Sequence, residues 1–166
     1  MKRILFALAV WPSLALAQSQ PSSPKPVCTT LEHRQFDFWV GKWAVSQTGQ
    51  NAVVAESLIE SVYNGCGVRE NWMPKNNQTG GSLNIWLPGE KAWKQTWIDS
   101  SGSRADFTGG WNGKAMVLTG QWGGPLVRMT YTPNADGSVR QAGEQSTNGG
   151  KTWTPSFDFT YRRPPK

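Results

Sequence analysis

With 166 residues and 17 Lys and Arg set against 11 Asp and Glu, the chain carries a formal net charge of +6. Its basic residues are scattered along the sequence, which excludes the clustered cationic face that a nucleic-acid groove requires. No Gly-x-Ser-x-Gly elbow, His-Glu-x-x-His or phosphate loop occurs, so the common hydrolase, zinc-protease and nucleotide signatures are excluded as well.

Lys2 and Arg3 precede an apolar run from Ile4 to Leu16, and Ala15-Leu16-Ala17 is a small-x-small cleavage site. Residues 1–17 therefore read as a secretory signal peptide that directs the protein to the periplasm or the medium. The run is shorter than the roughly 20 apolar residues that a bilayer span needs. No later segment is apolar enough to re-enter a membrane. Cleavage of 17 residues from 166 leaves 149, with a charge of +4 because Lys2 and Arg3 depart. That length suits a single domain that encloses a core without metal or several staples.

Residues 18–28 form a flexible leader, with Pro and Ser dominating Gln18 to Pro26. A single domain over residues 29–166 follows. Cys28 and Cys66 both persist after cleavage, and an oxidising compartment favours joining them, with two buried free thiols as the alternative. Neither a CxxC spacing nor a His cluster accompanies them, so no metal is expected. From Thr30 the segment LEHRQFDFWV offers an N-cap and spaces Leu31, Phe36 and Trp39 as a short amphipathic helix ended by Gly41, a lid or plug.

Beyond Gly41 the chain turns to short runs rich in Val, Thr, Trp and Tyr, cut about every ten residues by Gly, Asn and Pro turn chemistry. Strands are predicted near 43–48, 53–62, 66–73, 81–87, 91–98, 104–109, 114–121, 126–132, 138–146 and 152–163. Tight turns join antiparallel neighbours, and a meander of about ten strands removes its two edges by closing. The expected fold is all-β, an antiparallel up-and-down β-barrel with a short N-terminal helix. A two-sheet sandwich is the alternative, although the uninterrupted hairpin order lacks a long crossover.

His33, the sole histidine, lies beside Glu32 and Arg34 and reads as a surface helical residue. Haem-binding barrels use one proximal His, but a ligand placed before the first strand would reach the interior with difficulty. No cofactor is expected.

Tryptophan stands out: besides Trp11 of the signal there are Trp39, Trp43, Trp72, Trp86, Trp93, Trp97, Trp111, Trp122 and Trp153. Such rings either fill a barrel interior or line a pocket. Strand parity puts Trp93, Gln95 and Trp97 on one face, Glu70 and Trp72 on another, and Ser82, Asn84 and Trp86 on a third. Arg128 and Thr130 share a face, as do Arg140, Ala142, Glu144 and Ser146. If these faces point inward, their charged members need partners. If they point outward, Leu83, Ile85 and Leu87, or Val127, Met129 and Tyr131, fill the core.

The first strand opens with Gly41-Lys42-Trp43 and the last ends with Tyr161-Arg162-Arg163, an arrangement that resembles the lipocalin and wider calycin superfamily. That resemblance implies a structural pair of Trp43 with Arg162 or Arg163, stacked as a cation on an indole. A second likeness spans nearly all of the mature chain. Phe36-Asp37-Phe38-Trp39-Val40-Gly41-Lys42-Trp43, Gly65-Cys66, Glu70-Asn71-Trp72, Gln95-Thr96-Trp97-Ile98-Asp99 and Val139-Arg140-Gln141 resemble a family of small exported bacterial proteins without a settled activity. Ser146 to Trp153 resembles the Asp-box hairpin of sialidases, with Asn148 in place of Asp, Gly150 supplying positive φ and Trp153 packing beneath. A propeller would repeat that unit, and here it occurs once.

Three functions remain open. A binding barrel would hold a small apolar or amphipathic molecule among Trp72, Trp86, Trp93 and Trp97, oriented by Glu70, Asn84, Gln95 and Arg128, and it requires a cavity larger than about 300 Å³. An enzyme would use Glu70 with Arg128, or Glu144 with Arg140, for acid–base chemistry in the barrel mouth. A carbohydrate-binding or adhesion module would present a flat exposed row of indoles.

Overall fold

A computed structural model describes residues 28–164. The expected signal peptide and nearly all of the leader lie outside the described residues. Ten strands alternate direction along the chain: β1 Gly41–Gln47, β2 Val53–Val62, β3 Gly67–Pro74, β4 Gly80–Leu87, β5 Ala92–Asp99, β6 Arg104–Trp111, β7 Met116–Gln121, β8 Leu126–Pro133, β9 Val139–Ser146 and β10 Thr154–Arg162. Each pairs with its neighbour in sequence, and β1 also pairs antiparallel with β10, so the sheet is a closed barrel with no free edge. This is the expected up-and-down topology, and it is consistent with a lipocalin-like barrel. The sandwich alternative is not formed.

Period-two sequence patterns translate directly into inside and outside. On β8, Val127, Met129 and Tyr131 are buried while the residues between them are only partly covered. On β4 the polar members go in: Ser82 and Asn84 are buried, whereas Leu83 and Ile85 lie on the outer wall. β5 turns Trp93 and Gln95 inward.

The N-terminal segment closes one barrel end. It forms two consecutive 3₁₀ turns, Glu32–Arg34 and Asp37–Trp39, instead of one amphipathic α-helix. Phe36 and Trp39 are fully buried, while Leu31 points to solvent. Phe36 stacks on Trp39 at 5.0 Å between ring centroids and meets Trp93 and Tyr131 edge-on at 5.6 and 5.1 Å. His33, expected on the surface, is buried, with Nδ1 2.9 Å from the Thr30 hydroxyl. The tight 3₁₀ geometry turns its ring under the segment. The plug is tethered covalently by a Cys28–Cys66 disulfide, which closes a span of 38 residues. On chain-entropy grounds a loop of that size stabilises by about 4 kcal/mol.

Trp43 sits beneath the plug and donates its indole N–H to the Trp39 carbonyl at 2.7 Å. Of the two candidate arginines, Arg163 covers it, 3.7 Å from the ring centroid, and donates to the Val40 carbonyl at 3.0 Å. Arg162 is exposed. Tyr161 faces inward, so parity sends Arg162 out and returns Arg163 over the barrel end. Gly41 is required there: its φ is +141°, and a Cβ would overlap the Arg163 guanidinium.

Candidate ligand cavity

Opposite the plug, the barrel contains a cavity of about 830 Å³ whose mouth lies between the β3–β4 and β5–β6 turns, among Lys75, Asn76, Gln78 and Ser101. Its walls are aromatic. Trp97 and Trp122 face each other at 6.0 Å, Trp72 leans on Phe159 at 5.6 Å, and Phe157 stacks on Phe159 at 5.5 Å. Phe107 and Met129 complete the lining. These side chains come from five strands, β3, β5, β6, β8 and β10, with Trp122 just past the end of β7.

The floor is polar and spans the barrel. Glu70, only 4% exposed, receives hydroxyl hydrogen bonds from Ser57 at 3.1 Å on one oxygen and from Ser82 at 3.3 Å on the other. Asn84 donates to Ser82 Oγ at 3.1 Å, which leaves the Ser82 proton directed at the carboxylate. Gln95 donates from its amide nitrogen to Asn84 Oδ1 at 2.7 Å and to the Tyr131 hydroxyl at 3.2 Å. Gln141 donates to the same hydroxyl at 3.1 Å and accepts from Tyr161 at 2.6 Å. Tyr161 closes the ring, its oxygen 3.5 Å from Glu70. Among the described residues, no donor reaches the Gln95 side-chain carbonyl, an acceptor on a residue of the cavity wall.

Burial pushes the Glu70 carboxyl up to about 7, and the hydroxyls of Ser57, Ser82 and Tyr161 oppose the rise only in part. Burial, with the Glu70 charge next, also raises both tyrosines well above the usual phenol range. Near neutrality Glu70 is thus poised between acid and carboxylate, and the two phenols stay protonated.

The residues singled out from sequence divide by depth. Glu70, Trp72, Gln95 and Trp97 meet in the cavity, and Asn84 lies behind its floor, holding Gln95. Trp93 belongs to the closed end, where its indole donates to Gln35 Oε1 at 3.2 Å, and Trp86 is its direct partner across β4 and β5. Trp93 and Trp97 share a face, but four residues of strand separate them by roughly 13 Å along the wall. Arg128 lies on the outer wall, paired with Glu144 at 2.8 Å and resting 4.2 Å from the centre of Trp153. Glu70 therefore has no contact with Arg128, and Arg140 pairs with Asp158 instead of Glu144. An outward charge needs no compensation from the core, so both arginines follow the polar parity of their strands.

Asn148, Gly150 and Trp153 build the β9–β10 hairpin as the Asp-box likeness implies. Asn148 Oδ1 accepts from the Thr152 amide at 3.0 Å, Gly150 has φ +85°, and Trp153 donates to the Gly150 carbonyl at 3.0 Å. None of the described tryptophans is fully exposed, so the flat indole row of an adhesion module is not formed by them. The sequence reading missed Gln141 and Tyr161 in the floor and Phe157 and Phe159 in the wall. Their signal was available: Gln141 alternates with Val139 and Gly143, and Phe157, Phe159 and Tyr161 alternate on β10.

No cluster of three or more His, Cys, Asp or Glu side chains among the described residues could hold a metal ion. None of their helices is long and apolar enough to cross a membrane. The disulfide is compatible with an oxidising compartment such as the periplasm or the extracellular space. No protein-family model and no curated protein matches the chain. An aromatic-lined barrel of this geometry is compatible with ligand binding.

Proposed function

We propose that the protein is an exported binding protein whose barrel holds one small apolar or amphipathic molecule. In this reading residues 1–17 are the signal peptide, residues 18–28 the leader, and the rest a single binding domain in the periplasm or medium. The observation that carries the proposal is the aromatic-walled cavity of about 830 Å³, well inside the range of about 300 to 1,000 Å³ typical of small-molecule sites. Trp72 and Trp97 supply contact area, Gln95 offers a carbonyl acceptor, and Glu70 fixes the polar end of the guest.

Native mass spectrometry of the protein recovered from a periplasmic extract, followed by denaturation, tests this. A stoichiometric released compound of a few hundred daltons is the expected result. A bare protein that also fails to take up any of a panel of apolar and amphipathic probes would overturn it.

A second reading is favoured by the burial of Glu70 beside two buried phenols, which pushes its carboxyl up to about 7. A group tuned to that value beside buried phenols suits a general acid or base. Turnover of a bound compound that is lost in Glu70→Gln while binding persists would establish catalysis in place of storage.

A further inference from the structure

Glu70 is the feature of the cavity that a container for a neutral guest does not need. The ion pairs among the described residues, from Arg34–Asp37 to Arg140–Asp158, all join side chains at least one-third exposed. Glu70 is buried without a cation. The charged residues of the cavity lining are Glu70 on the floor and Lys75 and Asp99 at the mouth. Lys75 is exposed, and Asp99 is already engaged, accepting from the Trp97 indole at 3.1 Å and the Ser101 amide at 2.9 Å.

An uncompensated carboxylate in an apolar interior is costly, and its usual remedies are a proton or a counterion. The local hydrogen bonding fits both states. Ser57 and Ser82 donate to separate oxygens, which supports the ionised form. The Tyr161 hydroxyl lies closer to the Gln141 carbonyl, at 2.6 Å, than to Glu70, at 3.5 Å, so it supports the ionised form only weakly. Trp72, Trp97 and Phe159 line the same cavity as this carboxyl, and aromatic ring faces attract cations, most strongly when water is excluded.

We propose that the cavity selects organic cations: an amine or quaternary ammonium group seated against Glu70, with an apolar body lying along Trp72 and Trp97. This rests on the small-molecule reading above and adds the chemical class of the guest. Below about pH 7 the cation has to displace a proton from Glu70, so binding there releases a proton, whereas at higher pH it meets a carboxylate already ionised. The groups that face Glu70 are Ser57 on β2, Ser82 on β4, and Tyr161 on β10. Behind them Asn84, Gln95, Tyr131 and Gln141 complete the floor. The two phenols are held neutral, so Glu70 alone titrates there around neutrality. The chain's positive charge makes this selection local, because surface charges are screened beyond about 8 to 10 Å at physiological salt.

The test titrates the disulfide-bonded protein with three guests of one chain length, decyltrimethylammonium, decanol and decanoate, followed by tryptophan fluorescence. At about pH 8 the ammonium is expected to bind at least roughly tenfold tighter than the alcohol, with decanoate weakest. Lowering the pH to about 5 should erase most of that preference as Glu70 takes up its proton. Glu70→Gln should bring ammonium and alcohol within about twofold of each other, and a circular dichroism spectrum matching that of the wild type shows that the variant is folded. Equal affinities in the wild type, a preference that survives in Glu70→Gln, or tightest binding of decanoate would overturn cation selection and leave the binding reading standing. Failure of all three guests to bind would overturn the binding reading itself.

Discussion

The closed and open ends of the barrel draw on the same side-chain types and reach opposite results. At the closed end Phe36, Trp39 and Trp93 are at most 1% exposed, and Phe36 meets both tryptophans ring to ring. At the open end Trp72, Trp97 and Trp122 are half-buried and face an empty space. The difference lies in what fills the middle. Two 3₁₀ turns deliver Phe36 and Trp39 into one end, and no corresponding segment among the described residues enters the other. Rings that touch a plug become core. Rings that do not become the wall of a cavity.

The sharpest way to break this comparison is to truncate one tryptophan at each end. Trp39→Ala empties a fully packed site and should cost about 3 to 5 kcal/mol. Trp97→Ala removes a ring that already borders open space and should cost less than about 2 kcal/mol, while guest binding falls sharply. Urea unfolding monitored by circular dichroism measures both. Equal losses of stability would mean that the open end is as tightly packed as the closed one, and the cavity would have to be abandoned.

Glu70 sharpens the comparison through pH. Its folded-state value of about 7 stands above the ordinary 4.5, so between those limits the folded protein binds more protons than the unfolded chain. Stability from this group is complete below about pH 4.5 and is lost as pH rises through about 7, a loss on the order of 3 kcal/mol. The surface carboxylates Asp106 and Asp158 act oppositely: hydrogen bonds and neighbouring arginines lower them, so their contribution disappears as pH falls. Glu70→Gln should therefore gain on the wild type with rising pH and level off above about pH 8. Parallel stability curves for the two proteins across that window would show that the carboxyl is not held in a desolvated floor.

Much of the barrel was legible in the sequence, because alternation with a period of two and recurring turn residues fix strands within a residue or two, and hairpin order fixes the topology. Depth was not. Parity assigns Trp93 and Trp97 to one face, yet barrel stagger sends them to different ends, and only the three-dimensional register places Gln95 beside Tyr131. Charge misled in a similar way. Arg128 shares a strand with the inward Val127, Met129 and Tyr131, so its own parity already sent it outward to Glu144 and Trp153. Gln141 is hard to place because a lone carboxamide next to Arg140 reads as surface until its hydrogen bonds to Tyr131 and Tyr161 are seen.

The smallest expected effect concerns the two arginines that rest on indoles, one at each end of the molecule. Arg163 covers Trp43 and also donates to Val40, so it joins the plug to the barrel. Arg128 covers Trp153 and pairs with Glu144 on the wall, where both partners are about one-third exposed. The cation–indole contact is worth about 0.5 to 1 kcal/mol at such partly solvated sites, and an exposed ion pair adds at most about 1 kcal/mol. Arg163→Ala should cost about 1 to 2 kcal/mol, because a carbonyl of the plug loses its donor as well. Arg128→Ala should cost less than about 1 kcal/mol, and neither change should alter guest affinity. Denaturation midpoints rank the two, and the fluorescence titration checks the affinities. A loss of binding in Arg128→Ala would mean that the wall outside the cavity shapes the site, whereas a loss confined to Arg163→Ala would show that the plug sets the depth of the floor from below.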